Sequence, residues 1–227
     1  MADEKTWPPA NGLTTKVIPR EKAIVELSYS TPVHAPAHLV FDTLLRTGNW
    51  SAWNTWVPRA DISHPPSTSS GATNSTKEDD ESRLRVGTEM DFNVIMDASK
   101  PDSITHTYLK VSDISTPDAP SSYLSAEELA DPSFTADLSK VYRVAWTSNG
   151  GRMGLMPQIE RFHEVIVTGD DTCEVRNWEL MGGMVARLVK LFMMETLQEK
   201  VRLWCGDLKK YCEKVSAEGK GAAEAGN

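Results

Sequence analysis

No stretch of this chain stays apolar for the roughly eighteen residues that a membrane-spanning helix needs, and its longest greasy run lies at Leu188–Met194. The opening Met1-Ala2-Asp3-Glu4-Lys5 lacks the apolar core of a secretory signal. Cysteine is scarce. Cys173, Cys205 and Cys212 are too few for a disulfide scaffold, and Cys205 and Cys212, two helical turns apart, are too distant to bond each other. A reducing compartment, the cytoplasm, is therefore the expected location. Basic residues are outnumbered, 24 against 32 acidic, for a formal charge of −8. With no basic stripe, that balance argues against nucleic acid or an anionic membrane as the main partner.

Several chemistries are missing too. Gly150-Gly151-Arg152-Met153-Gly154 follows neither the dinucleotide nor the phosphate-loop spacing and reads as a flexible connection, a candidate gate. No serine sits in a nucleophile elbow. His34 and His38 are separated by Pro36, and no glutamate follows His34 to make a zinc-protease motif. The acidic run Glu78–Glu81 reads as solvated. No metal and no cofactor is expected.

What is present is enough for one sizeable core: 227 residues, 40% hydrophobic and 25% charged. Residues 1–20, with Pro8-Pro9, Asn11-Gly12 and Pro19, have no sustained periodicity and read as a flexible lead-in, and residues 216–227 as a flexible tail. Residues 65–83, Ser/Thr-rich and then acidic, read as a disordered loop within a domain spanning 21–215. An insert at about 117–138 contains Ser125-Ala126-Glu127-Glu128-Leu129, a short helix, and reads as a surface insertion in preference to a functional lid.

The remaining pattern is mostly period two. Ala23, Val25, Leu27 and Tyr29 mark a half-buried strand, and Thr88-Met90-Phe92-Val94-Met96 mark another. Residues 103–114 and 140–147 read as strands, and 158–168 and 172–180 as a hairpin closed by Gly169-Asp170-Asp171. Pro36 suits the first turn of a helix carrying Leu39, Val40 and Leu44, and a second short helix runs through Asn49–Trp53, capped by Asn49. From Met184 to about Lys214 no proline occurs. There Met184, Leu188, Leu191, Met194, Leu197, Val201, Trp204, Leu208 and Tyr211 recur every three or four residues.

That order of elements is the layout of a helix-grip fold, an α+β architecture. Ser30-Thr31-Pro32-Val33-His34-Ala35-Pro36-Ala37-His38-Leu39-Val40-Phe41 resembles the strand-to-helix entry of the START-like (SRPBCC) superfamily, which includes polyketide cyclase/dehydrase and lipid-transport proteins. Trp50-Ser51-Ala52-Trp53-Asn54 with Pro58 resembles its "W-x-x-W…P" segment. Trp178-Glu179-Leu180-Met181-Gly182-Gly183 resembles its closing strand and glycine, so the likeness covers Lys22 to Glu213. The acidic loop and the 117–138 insert depart from the pattern, which leaves any relative's substrate untransferable. The resemblance implies a curved antiparallel sheet around the long C-terminal helix, with a ligand cavity between them.

Strand parity then selects the wall of that cavity. In residues 158–168 one face holds Ile159, Arg161, His163, Val165 and Val167, and the other holds Glu160, Phe162, Glu164 and Ile166; the first, with fewer carboxylates, is the expected interior. The partner strand offers Asn177 and Glu179, and the 140–147 strand offers Tyr142 and Trp146. His163, near its ordinary pKa, is a candidate proton carrier, with Arg161 and Glu179 beside it as candidate catalytic groups. The competing reading makes Arg161 and Glu179 a plain cross-strand pair and leaves His163 at a strand end in water. Ligand-lining candidates are Trp53, Tyr29, Met90, Phe92, Tyr142, Trp146, Asn177, Met184 and Leu188. For Trp53 a core plug is favoured over a place at the cavity mouth.

The expected function is binding of a small hydrophobic molecule: a lipid, isoprenoid, sterol or polyketide. The alternatives are a cyclase or dehydratase acting in the same cavity, and a module that binds a protein partner.

Overall fold

A computed structural model describes residues 6–64, 82–148 and 157–225. Seven strands form one open antiparallel sheet: β1 (Val25–Val33), β2 (Arg59–His64), β3 (Glu89–Ile95), β4 (Ile104–Ser115), β5 (Val141–Ser148), β6 (Gln158–Gly169) and β7 (Thr172–Gly182). Their spatial order is β1-β7-β6-β5-β4-β3-β2, so the first strand pairs with the last and all others pair with a sequence neighbour. Between β1 and β2 lie α1 (Ala37–Leu45) and a 3-10 turn over Thr47–Ala52. A one-turn α2 (Ala126–Leu129) sits between β4 and β5, and the chain closes with α3 (Met184–Ala225). This is the helix-grip fold that the START-like resemblance implies.

The alternating strands have one dry face, whereas β5, β6 and β7 are buried on both faces over much of their length. In β3, Met90, Phe92 and Val94 are buried and their neighbours half-exposed, as the period-two pattern predicts. Gly183, at φ +85°, turns the chain from β7 into α3, a left-handed conformation that glycine alone adopts without strain. The core lies between the concave sheet face and α3, and its centre is aromatic. Trp204 of α3 meets Trp50 at 5.2 Å, Trp53 at 5.4 Å and Trp56 at 6.1 Å, all near-perpendicular.

Four expectations need correction. The lead-in is not loose: Leu13 and Ile18 are fully buried against the convex sheet face, and Trp7 packs on Trp178. Sequence periodicity misses it because hydrogen bonds fix it. Trp178 Nε1 donates to the Thr14 carbonyl at 3.1 Å, and the Thr14 N–H donates to Ser133 Oγ at 2.9 Å. The insert is likewise more than a surface feature. Leu124 and Phe134 join Leu13, Ile18, Phe162 and Trp178 in a second, smaller core on that outer face. Ser125 does cap α2, through a reciprocal capping box with Glu128.

The tail from 216 continues α3 to Ala225, and Lys220 pairs with Asp171 at 2.8 Å. Asn49 caps nothing; it lies inside the 3-10 turn, whose cap position is Arg46 without a side-chain bond. The acidic stretch at 65–81 and the glycine-rich stretch at 149–156 lie outside the described residues.

Candidate functional site

Beneath its first turns α3 does not touch the sheet everywhere, and a cavity of about 180 Å³ remains. β3 contributes Phe92 and Val94, β4 contributes Thr105, Thr107 and Leu109, and α3 contributes Val189, Met193 and Leu197. Trp56, Val57, Met96, Pro157, Ile159 and Met181 complete an almost wholly apolar wall. Its charged members are Arg161 and Glu179, and the two threonines of β4 are its other polar side chains. Further along α3, Trp204, Cys205, Leu208 and Cys212 are fully buried in the core, so the hollow lies under the first turns of the helix.

Antiparallel register explains how the charged pair gets there. Arg161 of β6 stands directly opposite Glu179 of β7, and both point to the concave face. Arg161 Nε donates to Glu179 Oε2 at 2.5 Å, with both side chains about 95% buried. The guanidinium carbon lies 4.9 Å from the Trp56 ring centroid and 5.7 Å from that of Trp204. Those ring faces favour the cation electrostatically where water is excluded. Among the described residues no protein acceptor engages the terminal Arg161 amines and no donor reaches Glu179 Oε1. The pair therefore offers the cavity donors beside an acceptor.

Parity correctly aims His163 inward but does not bring it to the cavity. The imidazole is wholly buried between Trp146, at 4.7 Å, and Trp204, at 5.5 Å between ring centroids. Neither ring nitrogen has a hydrogen-bond partner among the described residues. Burial, with the nearby Arg161 charge, pushes its pKa well below the ordinary histidine range. The expectation of a proton carrier near its ordinary pKa is thus corrected: His163 is a neutral core residue. Asn177 is its cross-strand partner and is equally buried, its carboxamide approaching the Cys205 thiol without a hydrogen bond of ordinary geometry. Burial pushes that thiol up to about 12.

Of the expected lining residues, Phe92 is in place beside Arg161 and Glu179. Trp53 is a core plug against Trp50 and Trp204, and Trp56, three residues on, takes the cavity position. Met90 and Trp146 are buried in the core without reaching the cavity, and Tyr29 is half-buried on β1. Tyr142 packs on Phe41 and lines a separate, more open cleft of about 620 Å³ beside α1. Met184 and Leu188 are 84% and 58% exposed, so they line nothing. The helical face that does point inward carries Ala186, Val189, Met193, Leu197 and Val201. The expected stripe, begun at Met184, is out of phase with it over the first two turns. Among the described residues, no group of acidic, histidine and cysteine side chains is arranged to hold a metal ion.

No protein-family model matches the sequence. A curated protein from Penicillium oxalicum (strain 114-2 / CGMCC 5302), "Oxopyrrolidines biosynthesis cluster protein O", is 24% identical over 213 residues, covering 88% of this chain and 93% of its own. Among solved structures, hypothetical protein jhp0584 from Helicobacter pylori superposes with a TM-score of 0.57 at 13% identity, over 82% of this chain and 87% of that one. TTHA0849 from Thermus thermophilus superposes with a TM-score of 0.51 at 10% identity, over 84% and 99%. At these identities the structural likenesses establish the fold alone.

Proposed function

We propose that the protein binds a small hydrophobic molecule in the cavity under the first turns of α3, with Arg161 and Glu179 as its polar anchor. The observation that carries this reading is an apolar chamber whose one charged pair keeps donors and an acceptor unspent. Pockets of this kind hold ligands through apolar area and orient them with a few polar groups. A guest that suits this wall places a carbonyl or carboxylate oxygen at Arg161 and an N–H or O–H at Glu179: a lactam, an enol or a carboxylic acid on an oily frame. The Penicillium relative's place in an oxopyrrolidine biosynthesis cluster agrees in kind with a small carbonyl-bearing molecule. At about 180 Å³ the chamber is smaller than the roughly 300–1,000 Å³ of common ligand sites, so a guest of more than one ring enters only as the wall yields. Met96, Met181 and Met193 in its wall are the adaptable side chains that let a larger guest enter.

Binding is favoured over turnover. Among the described residues the wall presents no imidazole and no thiol, and its carboxylate is already held by an arginine. The cytoplasm remains the proposed location, in keeping with three unbonded cysteines; no helix among the described residues is long and apolar enough to cross a membrane.

Titration with the fluorescent probe 1-anilinonaphthalene-8-sulfonate tests the reading. The wild type should enhance the probe's emission saturably, and Val94→Phe, which fills the chamber from β3, should abolish the effect while unfolding at a similar denaturant concentration. Equal enhancement by both proteins would remove the cavity from the account.

A further inference from the structure

The ten residues that open α3 carry a surface unlike the rest of the molecule. Met184, Leu188, Leu191 and Phe192 are 84%, 58%, 72% and 74% exposed, the largest concentration of exposed apolar side chains among the described residues. Arg187 and Lys190 lie exposed among them, neither in an ion pair with a described residue, and no acidic residue occurs between Met184 and Met194. The chain as a whole is acidic, with a formal charge of −8. A packed helix spends its apolar side chains on the core, and this one does so on its other face, where Val189 and Met193 line the cavity. Met193 belongs to both surfaces: it lines the cavity and is 36% exposed, so the chamber opens beside the patch.

We propose that this helix tip docks the protein reversibly on an anionic lipid surface, with the cavity mouth turned toward the bilayer. Phenylalanine, leucine and methionine interleaved with cations form a surface that settles into a headgroup layer, the apolar side chains entering the acyl boundary and the cations meeting lipid phosphates. Two exposed cations give charge complementarity to such a surface, whereas a second copy docked tip to tip presents the same two cations. The negative charge of the rest of the chain keeps the association weak and oriented, and Glu195 and Glu199 one turn further on limit how deep it goes. The docking stands on the patch itself. Only its purpose, collecting or delivering a membrane-soluble guest, rests on the binding reading of the cavity.

Cosedimentation with phosphatidylcholine vesicles, with and without phosphatidylserine, tests it on the full chain. Wild type should partition onto the phosphatidylserine vesicles, and more weakly as sodium chloride is raised. Arg187→Gln/Lys190→Gln should lower that partition about 30-fold, and Leu191→Glu/Phe192→Glu should reduce it to background. Both double variants change exposed side chains and should keep wild-type circular dichroism and the wild-type response to the naphthalenesulfonate probe; that separates failed docking from a failed cavity. Wild type that ignores both vesicles, or a Leu191→Glu/Phe192→Glu variant that binds like wild type, would overturn the proposal. So would a wild-type dimer in light scattering that this variant converts to monomer, because the patch would then belong to self-association.

Discussion

Arg161 and Glu179 face each other across β6 and β7 at 2.5 Å, buried to about 95%, with the Trp56 ring over the guanidinium. The charged end of the cavity is thus a pre-formed unit. Removing one partner strands the other in an apolar wall. Glu179→Ala should destabilise the fold by about 3–5 kcal/mol in urea unfolding, and Arg161→Met/Glu179→Leu should recover most of that loss. Additive losses in the double variant would mean that the two groups are solvated independently.

His163 makes the fold sensitive to acid. Its pKa in the folded protein lies well below the ordinary value of 6.5, so below pH 6.5 the unfolded chain takes a proton that the buried ring does not. The stability it contributes is present above pH 6.5 and is lost as pH falls, by about 1 kcal/mol per pH unit. His163→Leu should therefore lose less stability than wild type between pH 7.5 and pH 5.5. Parallel curves for the two proteins would contradict the buried, neutral assignment.

The phase of α3 predicts a contrast. Trp204 is fully buried among five aromatic neighbours, whereas Leu188 is 58% exposed. Trp204→Ala should cost about 3–5 kcal/mol, and Leu188→Ala should change stability by no more than about 0.5 kcal/mol. A large loss for Leu188→Ala would put the helix in the orientation that the sequence stripe suggests.

Leu13 tests the packing of the N-terminal segment. It is fully buried, its N–H donates to Glu26 Oε2 at 3.1 Å, and it belongs to the outer core with Phe162 and Trp178. Leu13→Ala should cost about 2–5 kcal/mol. A loose segment would tolerate the change with no measurable effect.

Much of this frame is legible in the sequence because its signals are local. Met90, Phe92 and Val94 alternate cleanly, and Gly169-Asp170-Asp171 punctuates the last hairpin. Parity alone sends Arg161 and Glu179 to the same face. What escapes is set by distant contacts. β2, Arg59–His64, alternates only Ala60 and Ile62 with polar neighbours, a pattern too short and too weakly apolar to mark a strand by itself. Glu160 and Glu164 make the outer face of β6 look solvated, yet both are fully buried. Glu160 accepts from the Val17 N–H at 2.7 Å and the Tyr123 hydroxyl at 2.6 Å, and Glu164 pairs with Arg143 at 2.6 Å. The cavity's end of the interface depends on the phase of α3, and a stripe of every third or fourth residue fits Met184 and Leu188 as well as it fits Val189 and Met193. Trp56 is missed because it lies beyond the short helix expected at Asn49–Trp53, which drew the candidate to Trp53.

Methionine methyl resonances report on the chamber itself, because Met96, Met181 and Met193 line it while Met184 stands in solvent on the same helix as Met193. In protein carrying carbon-13 methionine methyls, saturating naphthalenesulfonate probe should shift the Met96, Met181 and Met193 signals together and leave Met184 in place. Movement of Met184 with the three cavity methyls unchanged would contradict an internal site.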